Sequence, residues 1–139
     1  MAKYGSVSLL VILAIVMISA CGSSPRVLQS VSLSPAMADA QGAPVQFTVT
    51  GYFNQQPSPA TLSTTNWGAC YQNQSTTDVS VSSDGMAQCA NGAVGTYTVW
   101  TWAERSGGSC GSSTLPLPVN PCGGAGECQV TGTAQLTCP

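Results

Sequence analysis

Histidine is absent from this 139-residue chain, and charge is scarce, with three Lys or Arg and five Asp or Glu. Without imidazole, Ser-His-Asp and Cys-His nucleophile systems have no base, and zinc sites built on histidine are ruled out. The one lysine, Lys3, stands near the N-terminus, and Arg26 and Arg105 complete the cations. Two isolated arginines cannot replace the counterions of a nucleic acid, nor act as a polybasic patch on anionic lipid. Carboxylates are what remains for chemistry. Asp39, Asp78, Asp84, Glu104 and Glu127 are scattered singly. Asp84 and Glu104 would suit a glycosidase if they met in space, but nothing in the sequence favours that over ordinary surface acids. The chain reads as non-enzymatic. It implies no cofactor and no metal, for tight Cys-x-x-Cys pairs are missing and Asp78 with Asp84 offers too few oxygens for calcium.

What the chain has instead is seven cysteines and one apolar run. The run, Val7 to Ile18, is 12 residues, about 18 Å of helix against a bilayer core of roughly 30 Å. With Lys3 before it and Ser19-Ala20 after it, it has the layout of a cleavable export signal. The ending Ile18-Ser19-Ala20-Cys21 resembles the lipobox of bacterial lipoproteins. That resemblance implies removal of residues 1–20, acyl chains on Cys21, and a membrane anchor on the exported side of a bacterial cell envelope. The other reading is an ordinary secretory signal, with Cys21 left as a free thiol. Cleavage before Cys21 would leave 119 residues with a side-chain net charge of −3, enough for one domain. The other six cysteines are Cys70, Cys89, Cys110, Cys122, Cys128 and Cys138. An even count in a small exported chain points to disulfides, with 15 connectivities open.

No stretch after the signal shows helical periodicity; short alternating runs recur between Gly, Pro and Asn instead. Strands are expected at Leu28–Leu33, Val45–Phe53, Thr61–Trp67, Asp78–Ser82, Met86–Cys89, Thr96–Ala103 and Ser113–Val119. Asp84-Gly85 supplies a turn, and Ser106-Gly107-Gly108-Ser109 a loop. Pro116 and Pro118 make Ser113–Val119 an edge strand, since neither donates to a ladder. About seven short strands form an all-β sandwich over residues 28–120, after a lipidated tether at 21–27. Residues 121–139 form a cysteine-rich C-terminal extension. There Gly123-Gly124-Ala125-Gly126 precedes two segments that would pair across Gly132 as a disulfide-tied hairpin, unless the piece is a disordered tail with local pairs.

Five segments occur in order: Val31-Ser32-Leu33-Ser34-Pro35, Gly42 leading into Val45–Gly51, Thr65-Asn66-Trp67, Val79–Gly85, and Gly95-Thr96-Tyr97-Thr98-Val99. The series is similar to the bacterial immunoglobulin-like domain, group 2, of surface and adhesion proteins, over residues 27–104. The insert with Cys70 and the cysteine-rich end depart from that family. The resemblance implies an immunoglobulin-like sandwich with Trp67 in the core. It also implies a tyrosine corner at Tyr97, whose hydroxyl bonds nearby backbone. In that topology the third and sixth strands are antiparallel neighbours, which implies a Cys70–Cys89 bridge. Cys110, Cys122, Cys128 and Cys138 would then pair among themselves.

The residues most suggestive of binding are Trp100 and Trp102. With Tyr97 and Val99 facing inward, period two sends both indoles outward, a flat platform for a glycan or an envelope protein. Alternatively the cysteine-rich tail covers them, or the register is inverted. Asn54-Gln55-Gln56, Gln72-Asn73-Gln74 and Asn91-Gly92 are polar loop tips, sugar-binding or simply solvated. Asn73-Gln74-Ser75 matches the glycosylation pattern but carries no weight in a bacterial chain. The sequence thus points to a lipid-anchored structural or adhesion module, or else to a carbohydrate- or protein-binding module using Trp100 and Trp102.

Overall fold

The computed structural model describes residues 24–63, 66–105, 110, 122, 126 and 128–139. The signal segment, Cys21, the loop 106–109, the expected strand Ser113–Val119 and residues 123–125 lie outside them. Eleven strands and no α-helix are present among the described residues: β1 (Leu28–Ser34), β2 (Met37–Asp39), β3 (Val45–Gln46), β4 (Thr48–Phe53), β5 (Ala60–Thr61), β6 (Asn66–Tyr71), β7 (Gln74–Ser75), β8 (Val79–Val81), β9 (Met86–Cys89), β10 (Gly95–Glu104) and β11 (Gln129–Cys138). The all-β expectation holds.

Five strands form one sheet in the order β2-β11-β10-β6-β7, while β1-β4-β5 and β3-β9-β8 form two smaller sheets. The run Val45–Phe53 joins the small sheets. Its first residues pair with β9, and from Thr48 onward it pairs with β1. Phe47 marks the change of partner, its amide donating to the Gly85 carbonyl and its side chain 1% exposed. Across this layer the order is β1, β3/β4, β9, β8, facing β6, β10 and β11, the strand order of an immunoglobulin-like sandwich with seven principal strands. Leu33, Phe47, Val79 and Ala87 from one layer meet Ala69, Val99, Ala134 and Leu136 from the other. Trp67 packs against this cluster. A register shift between Leu28 and Ser30 lets Leu28 and Leu33 both be buried despite their odd spacing.

Three expectations need correction. The third strand does not stop at Trp67: Thr61 ends the short β5, and β6 runs from Asn66 through Cys70 to Tyr71. The seventh strand is β11, drawn from the segment read as an extension. It pairs with β10 along its full length, from Gly95 opposite Cys138 to Glu104 opposite Gln129. Gly132 is therefore mid-strand rather than a hairpin turn. A Cβ there would lie 2.6 Å from Leu33 Cδ1 and 2.9 Å from Val31 Cγ1, so glycine is present because β1 packs directly on it. The tether, finally, is bonded to the domain from Ser24 onward: the Val27 amide donates to Asn54 Oδ1 at 2.7 Å.

Candidate functional site

Register assigns the faces of the large sheet. Val99 lies opposite Ala69 and Ala134, all buried, so this row points inward. Thr98, Trp100 and Trp102 alternate with it and lie opposite Cys70, Gly68 and Asn66. Trp100 is half-buried because its ring lies over Gly68, where an added Cβ would come within 2.3 Å of Cζ2. Trp102 is buried, 7% exposed. The exposed two-indole platform is not formed. One indole rests on the glycine of the next strand, the other is enclosed, and on the same face Cys70 is bonded to Cys122.

The expected Cys70–Cys89 bridge is also replaced. The bonds are Cys70–Cys122, Cys89–Cys138 and Cys110–Cys128, with Cα separations of 5.9, 6.0 and 5.5 Å. The antiparallel pairing behind the expectation is real, since β6 does pair with β10. What fails is the position of Cys89, which lies on β9 in the opposite layer. Cys70 opposes Thr98 in the large sheet, whereas Cys138 opposes Gly95, in register with the inward row of β10. Cys89–Cys138 therefore ties the two layers together.

A cleft of about 720 Å³ opens at the pole of the sandwich where β10 ends and β1 begins. Its walls include Phe53, Asn66, Asp84, Trp102 and Glu104. Thus Asp84 and Glu104, scattered in sequence, line one cleft, because the β8–β9 turn and the last residue of β10 reach the same pole. Asp84 is built into its turn: it accepts the Ser82 hydroxyl, the Gly85 amide donates to the Ser82 carbonyl at 3.0 Å, and the Asp84 carbonyl accepts from Gln46 Nε2. The Ser82 hydroxyl, helped by backbone amides, holds the Asp84 carboxyl below the usual range. Asn66 is fixed through its carbonyl, which accepts the buried Thr101 hydroxyl at 2.9 Å. No cation lines this cleft, and no group of three metal-ligating side chains occurs among the described residues. The sequence marks Phe53 and Asn66 as strand and motif residues, not as site residues, for only tertiary packing brings them beside Trp102.

The loop tips have separate uses. Asn54 and Gln55 bond the segment Ser24–Val27. Gln72 and Asn73 turn β6 into β7 with φ of 49° and 64°, a backbone that asparagine tolerates better than most residues. Asn91 and Gly92 border a smaller cavity of about 250 Å³ at the opposite pole, beside Pro139. Tyr97 forms the corner expected of it: its hydroxyl lies 3.4 Å from the Val94 carbonyl and 3.3 Å from the Asp78 carboxylate. No family model matches this chain, and no curated protein is detectably similar to it in sequence.

Proposed function

We propose that this chain is a bacterial lipoprotein, cut before Cys21 and acylated there. It presents one non-catalytic immunoglobulin-like module, akin to the bacterial group 2 domains, as a structural or adhesive element of the cell envelope. The observation that carries the reading is the cysteine arrangement. The six cysteines after Cys21 are consumed in three bonds with one another, which suits an exported chain and leaves Cys21 as the odd one. Its position behind Ile18-Ser19-Ala20 then gives it a distinct chemical purpose. Two or three acyl chains hold a protein to a bilayer firmly, while one does so only marginally. Cys21→Ser should leave the membrane fraction or accumulate as uncleaved precursor. Full processing with unchanged membrane attachment would refute the proposal.

The polar cleft favours a second reading, a carbohydrate- or protein-binding module. Its volume lies within the few-hundred to about 1,000 Å³ typical of ligand sites, and Trp102 with Phe53 supplies aromatic wall beside Asn66 and two carboxylates. Trp102 thus stays a candidate contact through the cleft rather than through an open platform. Titrating the protein with envelope glycans while following tryptophan emission separates the readings. A saturable change that Asn66→Ala abolishes supports binding, and no response favours the structural role.

A further inference from the structure

Six residues separate Cys21 from the first strand, and as a free leash the seven peptide steps from Cys21 to Leu28 would span about 25 Å. The chain does not use them so. Gln55 Nε2 donates to the Ser24 carbonyl at 2.7 Å, and Asn54 Nδ2 to the Pro25 carbonyl at 3.2 Å. The Val27 amide donates to Asn54 Oδ1 at 2.7 Å, and the Asn54 amide returns a bond to the Val27 carbonyl at 3.1 Å. Between them the Arg26 guanidinium lies over the Phe53 ring, 3.4 Å from its centroid, and donates to the Pro57 carbonyl. An arginine so placed is held through its charge and its flat face together. Every residue from Ser24 to Val27 is therefore bonded to the turn that follows β4.

We propose that this segment is a clamp that stands the sandwich pole-down on the lipid surface, with the Asn54–Pro57 turn against the headgroups. The proposal rests on acylation of Cys21. Three peptide steps from Cys21 to Ser24 reach at most about 11 Å, so the clamped pole cannot leave the interface. Asn54, Gln55 and Gln56 are uncharged and amide-rich, compatible with a zwitterionic headgroup layer. At this pole Arg26 and Arg105 offset Asp84 and Glu104, so charge gives the chain no net pull toward anionic lipid and the short span does the holding. The ten residues of β10 then carry the opposite pole, with Asn91, Gly92 and the 64%-exposed Val94, about 33 Å outward. That far pole is the part offered to the surroundings.

Arg26 provides the test, because trypsin cutting after it frees the whole module. Full-length protein extracted from membranes, its acylation checked by mass, is placed in phosphatidylcholine vesicles and treated with trypsin. The wild-type protein should resist release. Asn54→Ala should be released about tenfold faster, the factor implied by losing the two bonds its side chain makes, and Gln55→Ala should fall between. Circular dichroism checks that each variant keeps its strands, and Asn91→Ala at the far pole should match wild type. In neutron reflectometry on a supported bilayer, protein density should begin within about 11 Å of the headgroups. Wild-type release as fast as that of Asn54→Ala, or a water gap approaching the leash length, overturns the clamp. Protein without acyl mass, and off the vesicles before protease is added, overturns the anchoring beneath it.

Discussion

Gly68 and Gly85 are the positions where one added methyl group does most harm. At Gly68 the Cβ would enter the Trp100 ring, so the half-buried indole, its N–H enclosed and unbonded, would have to leave its place on β6. Gly68→Ala is expected to lose about 1–3 kcal/mol, the ordinary cost of overpacking, and to shift Trp100 emission. At Gly85 two penalties coincide: φ is +85°, and a Cβ would lie 2.5 Å from the Phe47 carbonyl oxygen, which is backbone and cannot swing away. Gly85→Ala should cost at least about 2 kcal/mol in a denaturant titration. Tyr97 makes a prediction in pH. Burial first, then the Asp78 carboxylate, raises its phenol above the ordinary value of about 10. A raised pKa means that the fold favours the neutral phenol. That stability is fully present below about pH 10 and is lost as pH rises through the folded value. Tyr97→Phe should flatten this alkaline fall; an unchanged slope would show that the corner does not sense its surroundings.

Among the elements, those whose pattern was local were legible before the fold was known. Val45, Phe47 and Val49 alternate with polar residues, and Tyr97, Val99 and Thr101 alternate with Thr98, Trp100 and Trp102, so period two placed both strands and their inward faces correctly. The Asp84-Gly85 turn was equally plain. The misreadings share a cause, since the deciding partner is distant in sequence. Gly132 resembles a turn until Val31 and Leu33 of β1 are seen against it. Cys70 and Cys89 look adjacent until β9 is assigned to the other layer. The short strands β2 and β7 have too few residues to show a pattern, and as the two- and three-residue edges of the large sheet they leave little backbone for edge-to-edge association. Two tests belong here. Gly132→Ala should destabilise by about 1–3 kcal/mol if β11 is a packed interior strand; a hairpin tip would accept the change at little cost. Removing the layer-to-layer bond with Cys89→Ala and Cys138→Ala opens a loop of about 50 residues, worth about 4 kcal/mol on the chain-entropy model. Loss of Cys110–Cys128, which closes a loop of about 19, should cost about 3 kcal/mol.

In the whole molecule these features converge on one pole. The clamped segment Ser24–Val27, the turn after β4 and the cleft with Asp84, Glu104 and Trp102 all gather there, while Asn91, Gly92 and Pro139 occupy the other. The bonds Cys70–Cys122 and Cys110–Cys128 fasten the connection between β10 and β11 back onto the sandwich, and Cys89–Cys138 holds the layers. A chain so braced suits an oxidising exterior and a short anchor, and the anchor is the point on which the functional reading turns. Intact-mass spectrometry of the protein extracted from membranes tests it most directly. The expected mass is that of residues 21–139, plus acyl chains on Cys21, less six hydrogens for the three disulfides. A chain beginning elsewhere, an unmodified Cys21, or free thiols among the other six cysteines would contradict it.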